Sequence, residues 1–152
     1  HLRPRSLTAD LKKPLRFWPV VTLLGPRQSG KRTFLRDLVF AKNQTSYVTL
    51  DRISMRQAAL RNPEQFLSQF NIEPIIIDEA HKAPPLFDEI KAEVDEKRKP
   101  GRFILTGSVS FSNKIGIRES FTGRSANLRF DSMTFSETTS EAPNLKTIQR
   151  YL

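Results

Sequence analysis

The chain has 152 residues, 38% of them hydrophobic and 27% charged, with a formal net charge of +9 and no cysteine. That length suits one domain with a sizeable core, and that balance suits a soluble globular protein rather than a disordered one. The lack of cysteine excludes a disulfide frame and any thiolate metal site, and no apolar run has the length of a membrane span or the form of a signal peptide. A cytoplasmic location with no membrane partner is the expectation. The first residue is His1 rather than Met, as in a fragment or a processed form.

Residues 1–18 read as a basic lead-in. Residues 1–36 hold nine Lys or Arg against one acid, Asp10, and the excess includes Arg3, Arg5, Lys12, Lys13 and Arg16 beside Phe17 and Trp18. Such a segment can meet nucleic-acid phosphates and stack on bases, or it can be a solvated stretch whose aromatics pack on the core. No zinc finger, RNA-binding signature or repeat points to specific readout.

A short apolar strand (19–24) follows, with Val20-Val21-Thr22-Leu23-Leu24 fitting a buried parallel strand. Next come Gly25-Pro26-Arg27-Gln28-Ser29-Gly30-Lys31-Arg32. The spacing Gly-x4-Gly-Lys is that of a Walker A phosphate loop, in which backbone amides and the lysine hold phosphates. The residue after the lysine is normally Ser or Thr, whose hydroxyl ligates magnesium; here it is Arg32. Thr33 keeps a hydroxyl one step on, but one helical residue is a rotation of about 100°. Phe34, Leu35, Leu38 and Val39 repeat at helical spacing, which predicts a helix over 31–40 whose N-terminus adds amides and a favourable dipole. A chance match in a surface turn would lack this strand and helix.

A strand (46–50) and helical material (53–70) come next, with Asn62-Pro63-Glu64 as a helix start. Pro74-Ile75-Ile76-Ile77-Asp78-Glu79 then gives a hydrophobic strand (74–78) ending in two carboxylates, the form of a Walker B element. At its C-terminal end Asp78 would hold magnesium through water, and Glu79 would orient and polarise an attacking water. An acidic helix cap is the plainer reading of these two residues taken alone. Ala83-Pro84-Pro85 opens a helix to about Lys99, with Leu86, Ile90 and Val94 on one face. A strand (102–107) leads to Thr106-Gly107-Ser108, where Thr106 or Ser108 could reach the γ-phosphate or the lytic water, although such turns also form for local reasons. Residues 109–117 read as a loop and 117–122 as a short helix. A last strand (126–131) precedes a polar tail in which 148–152 could form a helical stub. Strands alternating with helices around a phosphate loop predict a three-layer α/β fold.

Several stretches together resemble prokaryotic AAA-type P-loop ATPases of the AAA domain 14 type. They are Leu24-Gly25-Pro26-Arg27-Gln28-Ser29-Gly30-Lys31, Tyr47-Val48-Thr49-Leu50-Asp51, Ile76-Ile77-Asp78-Glu79-Ala80-His81-Lys82-Ala83-Pro84, Gly101 to Ser108, and Glu119-Ser120-Phe121-Thr122-Gly123-Arg124. The resemblance covers roughly residues 15–137. It implies an AAA-like core over 19–135 with a central, mainly parallel five-stranded sheet, ATP and magnesium as ligands, and hydrolysis coupled to an unknown partner or domain. It also marks Arg124 as an arginine finger acting in trans within a homo-oligomer. Such proteins usually continue into a C-terminal domain of unknown function, so 136–152 is expected to be a truncated linker.

Arg32 leaves a second reading open: a nucleotide-binding scaffold with impaired hydrolysis, in which the guanidinium meets phosphate directly. Asp78-Glu79-Ala80-His81 also spells motif II of DEAH-type helicases, but only about 45 residues separate Lys31 from Asp78, and no second domain is present to grip a strand. A small-molecule kinase would need an acceptor site that the sequence does not identify.

Overall fold

The computed structural model describes residues 3–26, 30–39, 44–108, 121–130 and 148–151. Six strands form one sheet: β1 (Val20–Leu24), β2 (Ser46–Thr49), β3 (Ile75–Asp78), β4 (Phe103–Gly107), β5 (Ser125–Phe130) and β6 (Ile148–Tyr151). Their spatial order is β2-β3-β4-β1-β5-β6. The first five are mutually parallel, and β6 adds an antiparallel edge on β5, with Asn127 opposite Tyr151. The expected five-stranded parallel core is therefore present. Residues 148–151, where a helical stub is expected, form a strand instead. Four residues carry too little periodicity to choose between the two, and the free edge of β5 decides in favour of pairing.

Burial on both faces explains why β1, β3 and β4 are mostly apolar, since every residue of each is buried, with Thr22, Asp78 and Thr106 as their polar members. Alternate side chains serve opposite layers. On one face Val20, Leu24, Ile75, Ile77, Phe103 and Leu105 pack with residues of helices α3 (Ile53–Arg61), α4 (Pro63–Ser68) and α5 (Pro85–Glu96), among them Ala59, Phe66, Leu86 and Ile90. On the other face Val21, Leu23, Ile76, Ile104, Leu128 and Phe130 pack with Leu11, Phe34 and Leu35. Leu11 belongs to α1 (Arg3–Leu15), so the basic lead-in is a helix docked on the sheet. Trp18 packs against that layer, whereas Phe17 is 68% exposed.

The segment expected as one helix over 31–40 starts as a three-residue helical turn, α2 (Lys31–Thr33), and widens into a π-helical stretch (Phe34–Val39). A wider helix turns through fewer degrees per residue, which suits the burial of two consecutive side chains, Phe34 and Leu35, on the sheet. The expected start of α4 is present: the Asn62 side chain accepts a hydrogen bond from the Gln65 amide at 3.0 Å, and Pro63 occupies the first turn. Asn62→Ala is expected to cost about 1 kcal/mol, seen in thermal unfolding as a drop of roughly 2–4 °C. No helix among the described residues is long and apolar enough to cross a membrane.

Candidate functional site

The parallel sheet brings the C-terminal ends of β1, β3 and β4 together, and the chemistry-bearing residues collect there. Gly25 leaves β1 with its amide donating to the Gly107 carbonyl at 3.1 Å. A β-carbon on Gly25 would stand 2.0 Å from the Phe130 carbonyl oxygen, so only glycine lets the chain pass. Gly30 closes the loop at φ +88°, in the left-handed region that favours glycine, and caps α2. Arg27, Gln28 and Ser29 lie outside the described residues. Lys31 is 5% exposed, and its ammonium donates to the carbonyls of Gly25 at 2.8 Å and Pro26 at 2.7 Å. Burial lowers its pKa, while Glu79 and Asp78 act to keep it charged.

Asp78 ends β3 opposite Thr49 of β2 and is 8% exposed. Both of its oxygens accept hydroxyl donors: Oδ2 from Thr49 at 3.0 Å and Oδ1 from Thr106 at 2.6 Å. The Thr106 hydroxyl in turn accepts from the Glu79 amide at 3.3 Å. Thr106 thus ties the end of β4 to both carboxylate residues. Ser108 follows β4 and is partly buried.

Glu79 has φ 56°, a left-handed conformation unusual for a residue with a side chain. Its carboxylate is 12% exposed, and Oε2 lies 3.4 Å from His81 Nε2. Burial raises its pKa first, Asp78 and Asp51 add to this, and Lys31 and Lys82 oppose it. A carboxylate held in this way is a stronger base than a solvated one. Lys82 pairs with Asp51, so the two closest outer charges largely answer each other. His81 lies in a 3-10 turn (Ala80–Lys82) separate from α5 and faces Glu79.

Arg32 is exposed, and its guanidinium carbon sits 5.7 Å from the centre of the Tyr47 ring. The Tyr47 hydroxyl is buried without closing a well-formed hydrogen bond. Burial raises its pKa strongly, followed by the Asp78 carboxylate, with Arg32 and Arg36 opposing. Sequence reading assigned roles to neither Tyr47 nor Thr49. The only available signal was their place in a stretch shared with the resembled family, because contact with Asp78 depends on the register between β2 and β3. Thr33, next to Arg32, is exposed on α2.

Arg124 stands elsewhere. Its carbonyl accepts from the Val20 amide at 3.3 Å, at the end of β1 opposite the phosphate loop. Its guanidinium grips Asp95 with two bonds, Nε to Oδ1 at 2.7 Å and Nη2 to Oδ2 at 3.1 Å.

The site's geometry suits a polyphosphate. It offers a glycine passage that a β-carbon would fill, a buried lysine, and a helix N-terminus. It suits magnesium less well. The loop hydroxyl is replaced by a guanidinium, both Asp78 oxygens already accept hydrogen bonds from threonine hydroxyls, and no group of three or more acidic, His or Cys side chains among the described residues could cage a cation. Asp78 is the carboxylate that would hold such an ion.

A parallel sheet in this strand order, with a glycine loop after β1 and paired carboxylates after β3, defines an AAA-like P-loop NTPase core. The chain belongs to the AAA domain family, whose pattern it matches over residues 18–139. It is 31% identical over 140 residues to each of two mycobacterial proteins, the uncharacterized protein Rv2008c of Mycobacterium tuberculosis and the uncharacterized protein Mb2031c of Mycobacterium bovis. Those alignments cover 91% of this chain and 31% of each relative, so the chain spans about a third of their length. Among solved structures, the cytoplasmic domain of EssC overlaps 81% of this chain and 32% of its own, at 9% identity and a TM-score of 0.44.

Proposed function

We propose that this chain is the ATP-binding core of a P-loop ATPase, with hydrolysis coupled to a partner or domain of unknown identity. The observation that carries the reading is Lys31, buried at the mouth of β1 and within electrostatic reach of the Asp78–Glu79 pair at the end of β3. The loop of residues 25–30 binds the phosphates, through the backbone amides that follow Pro26 and the Lys31 ammonium, with Arg32 and Thr33 behind them. Asp78 would hold magnesium, and the ion would polarise the phosphates for attack. Glu79 takes the proton of the attacking water, and Thr106 and Ser108 fix the neighbouring geometry.

Arg124 acts in trans on the nucleotide of a neighbouring copy. Its place at the far end of β1 supports this, since the length of a strand separates it from its own phosphate loop. Release from Asp95 would have to accompany assembly. The exposed Lys12, Lys13, Arg16 and Phe17 form the surface that a nucleic-acid backbone would meet. A cytoplasmic setting completes the reading.

The position of Arg32 on Tyr47 favours a second form of it, a nucleotide-binding scaffold whose turnover is slow. Calorimetric titration with ATP and a phosphate-release assay test both. ATP binding by the native chain that is lost in Lys31→Ala supports the proposal, because removing a charged hydrogen-bond donor costs roughly 1.5–3 kcal/mol. Equal affinity in the two proteins would remove Lys31 from the site. Binding without measurable phosphate release would select the scaffold form.

A further inference from the structure

In phosphate loops the residue after the lysine carries the hydroxyl that ligates magnesium. Here that position is arginine, and the structure shows where the side chain goes. Arg32 lies over the ring of Tyr47, a residue of β2 whose own ring packs into the layer beneath the loop. A guanidinium resting on an aromatic face is fixed in place yet keeps its in-plane donors for an anion. The same ring carries its hydroxyl down toward Asp78, the residue that would otherwise draw a cation. Asp78 is already satisfied by Thr49 and Thr106. One positive group is thus built in at the start of α2, and the usual direct ligand is missing.

We infer that Arg32, positioned by the Tyr47 ring, takes over the phosphate-neutralising role of the divalent cation, so that this chain binds a nucleoside triphosphate without magnesium. The inference rests on the nucleotide-binding reading above and concerns binding alone; hydrolysis keeps its need for metal. Tyr47 is a positioning residue that acts through Arg32.

The test is titration of a fluorescent ATP analogue in EDTA and in magnesium. The native chain is expected to bind equally well in both. Arg32 is exposed, so Arg32→Thr should fold normally. It is expected to lose about tenfold or more of its affinity in EDTA, as for a charged hydrogen bond, and to recover with magnesium. Tyr47→Phe keeps the ring and should behave as the native chain. Tyr47→Leu should lose about two- to fivefold in EDTA, the worth of an exposed cation–π contact, with unfolding curves separating this from loss of fold. Native binding that EDTA abolishes, or Arg32→Thr with native metal-free affinity, overturns the inference and leaves the nucleotide reading standing. No binding in either buffer removes both.

Discussion

Glu79→Gln is expected to abolish nearly all ATP turnover while leaving ATP bound and the protein more stable at neutral pH. The loss of rate should be roughly a hundred- to ten-thousandfold, the usual contribution of a positioned general base. Gln keeps the shape of the side chain but cannot accept the proton of the attacking water. The gain in stability comes from the burial of the Glu79 carboxyl. Its pKa is raised in the folded state, by burial first and then by Asp78 and Asp51. A raised carboxylate pKa means that the folded state holds its proton more tightly than the unfolded chain does. Below the ordinary glutamate range both states are protonated and there is no penalty. As pH rises through that range toward the folded pKa, ionisation costs more in the folded state, and stability falls. Glutamine carries no such cost. The melting temperature of Glu79→Gln should therefore exceed that of the native chain at pH 7, with the difference vanishing in acid. Single-turnover phosphate release and melting curves from pH 4 to 8 would check both halves. Native turnover in this variant would strip Glu79 of its role, and a difference in melting that does not change with pH would place the effect outside its ionisation.

Much of this site could be read along the chain because its parts are local. The strand before Gly25 and the strand before Asp78 are apolar runs, fully buried in the sheet, and each delivers its polar residues at a C-terminal end. What the sequence concealed depends on partners distant along the chain. Thr49 reaches Asp78 through the pairing of β2 with β3. Tyr47 receives Arg32 because β2 lies at the edge of the sheet nearest that side chain. His81 meets Glu79 after Glu79 itself turns at φ 56°, a conformation that no propensity favours for glutamate. β6 follows the same logic, since its four residues take their conformation from β5. The expected helix over 117–122 lies outside the described residues as far as position 120; of the two that are described, Phe121 is helical and Thr122 lies in a turn. Arg124 was marked by resemblance, and its grip on Asp95 joins residues from segments that sequence spacing does not relate.

Gly25→Ala carries the largest expected structural effect. Gly25 does not need glycine for its backbone angles; it needs glycine for space. The added carbon would meet the Phe130 carbonyl oxygen at 2.0 Å, and a backbone atom inside a parallel sheet cannot swing aside as a side-chain tip can. Relief requires moving the end of β5 or the start of the loop. A displaced loop would take with it the carbonyls of Gly25 and Pro26 that hold the Lys31 ammonium. The expected cost is about 3 kcal/mol, the upper end of common overpacking penalties, or roughly 6–12 °C in melting temperature for a chain of this size. ATP affinity should fall with it. Gly30→Ala supplies the contrast: at φ +88° with no atom within 4 Å of the new carbon, it meets only conformational strain, on the order of 1–2 kcal/mol. If Gly25→Ala melts with or above Gly30→Ala, close approach to Phe130 is not what the first glycine provides. If it melts well below, the first glycine of the loop is set by the strand beside it and the second by the turn it makes.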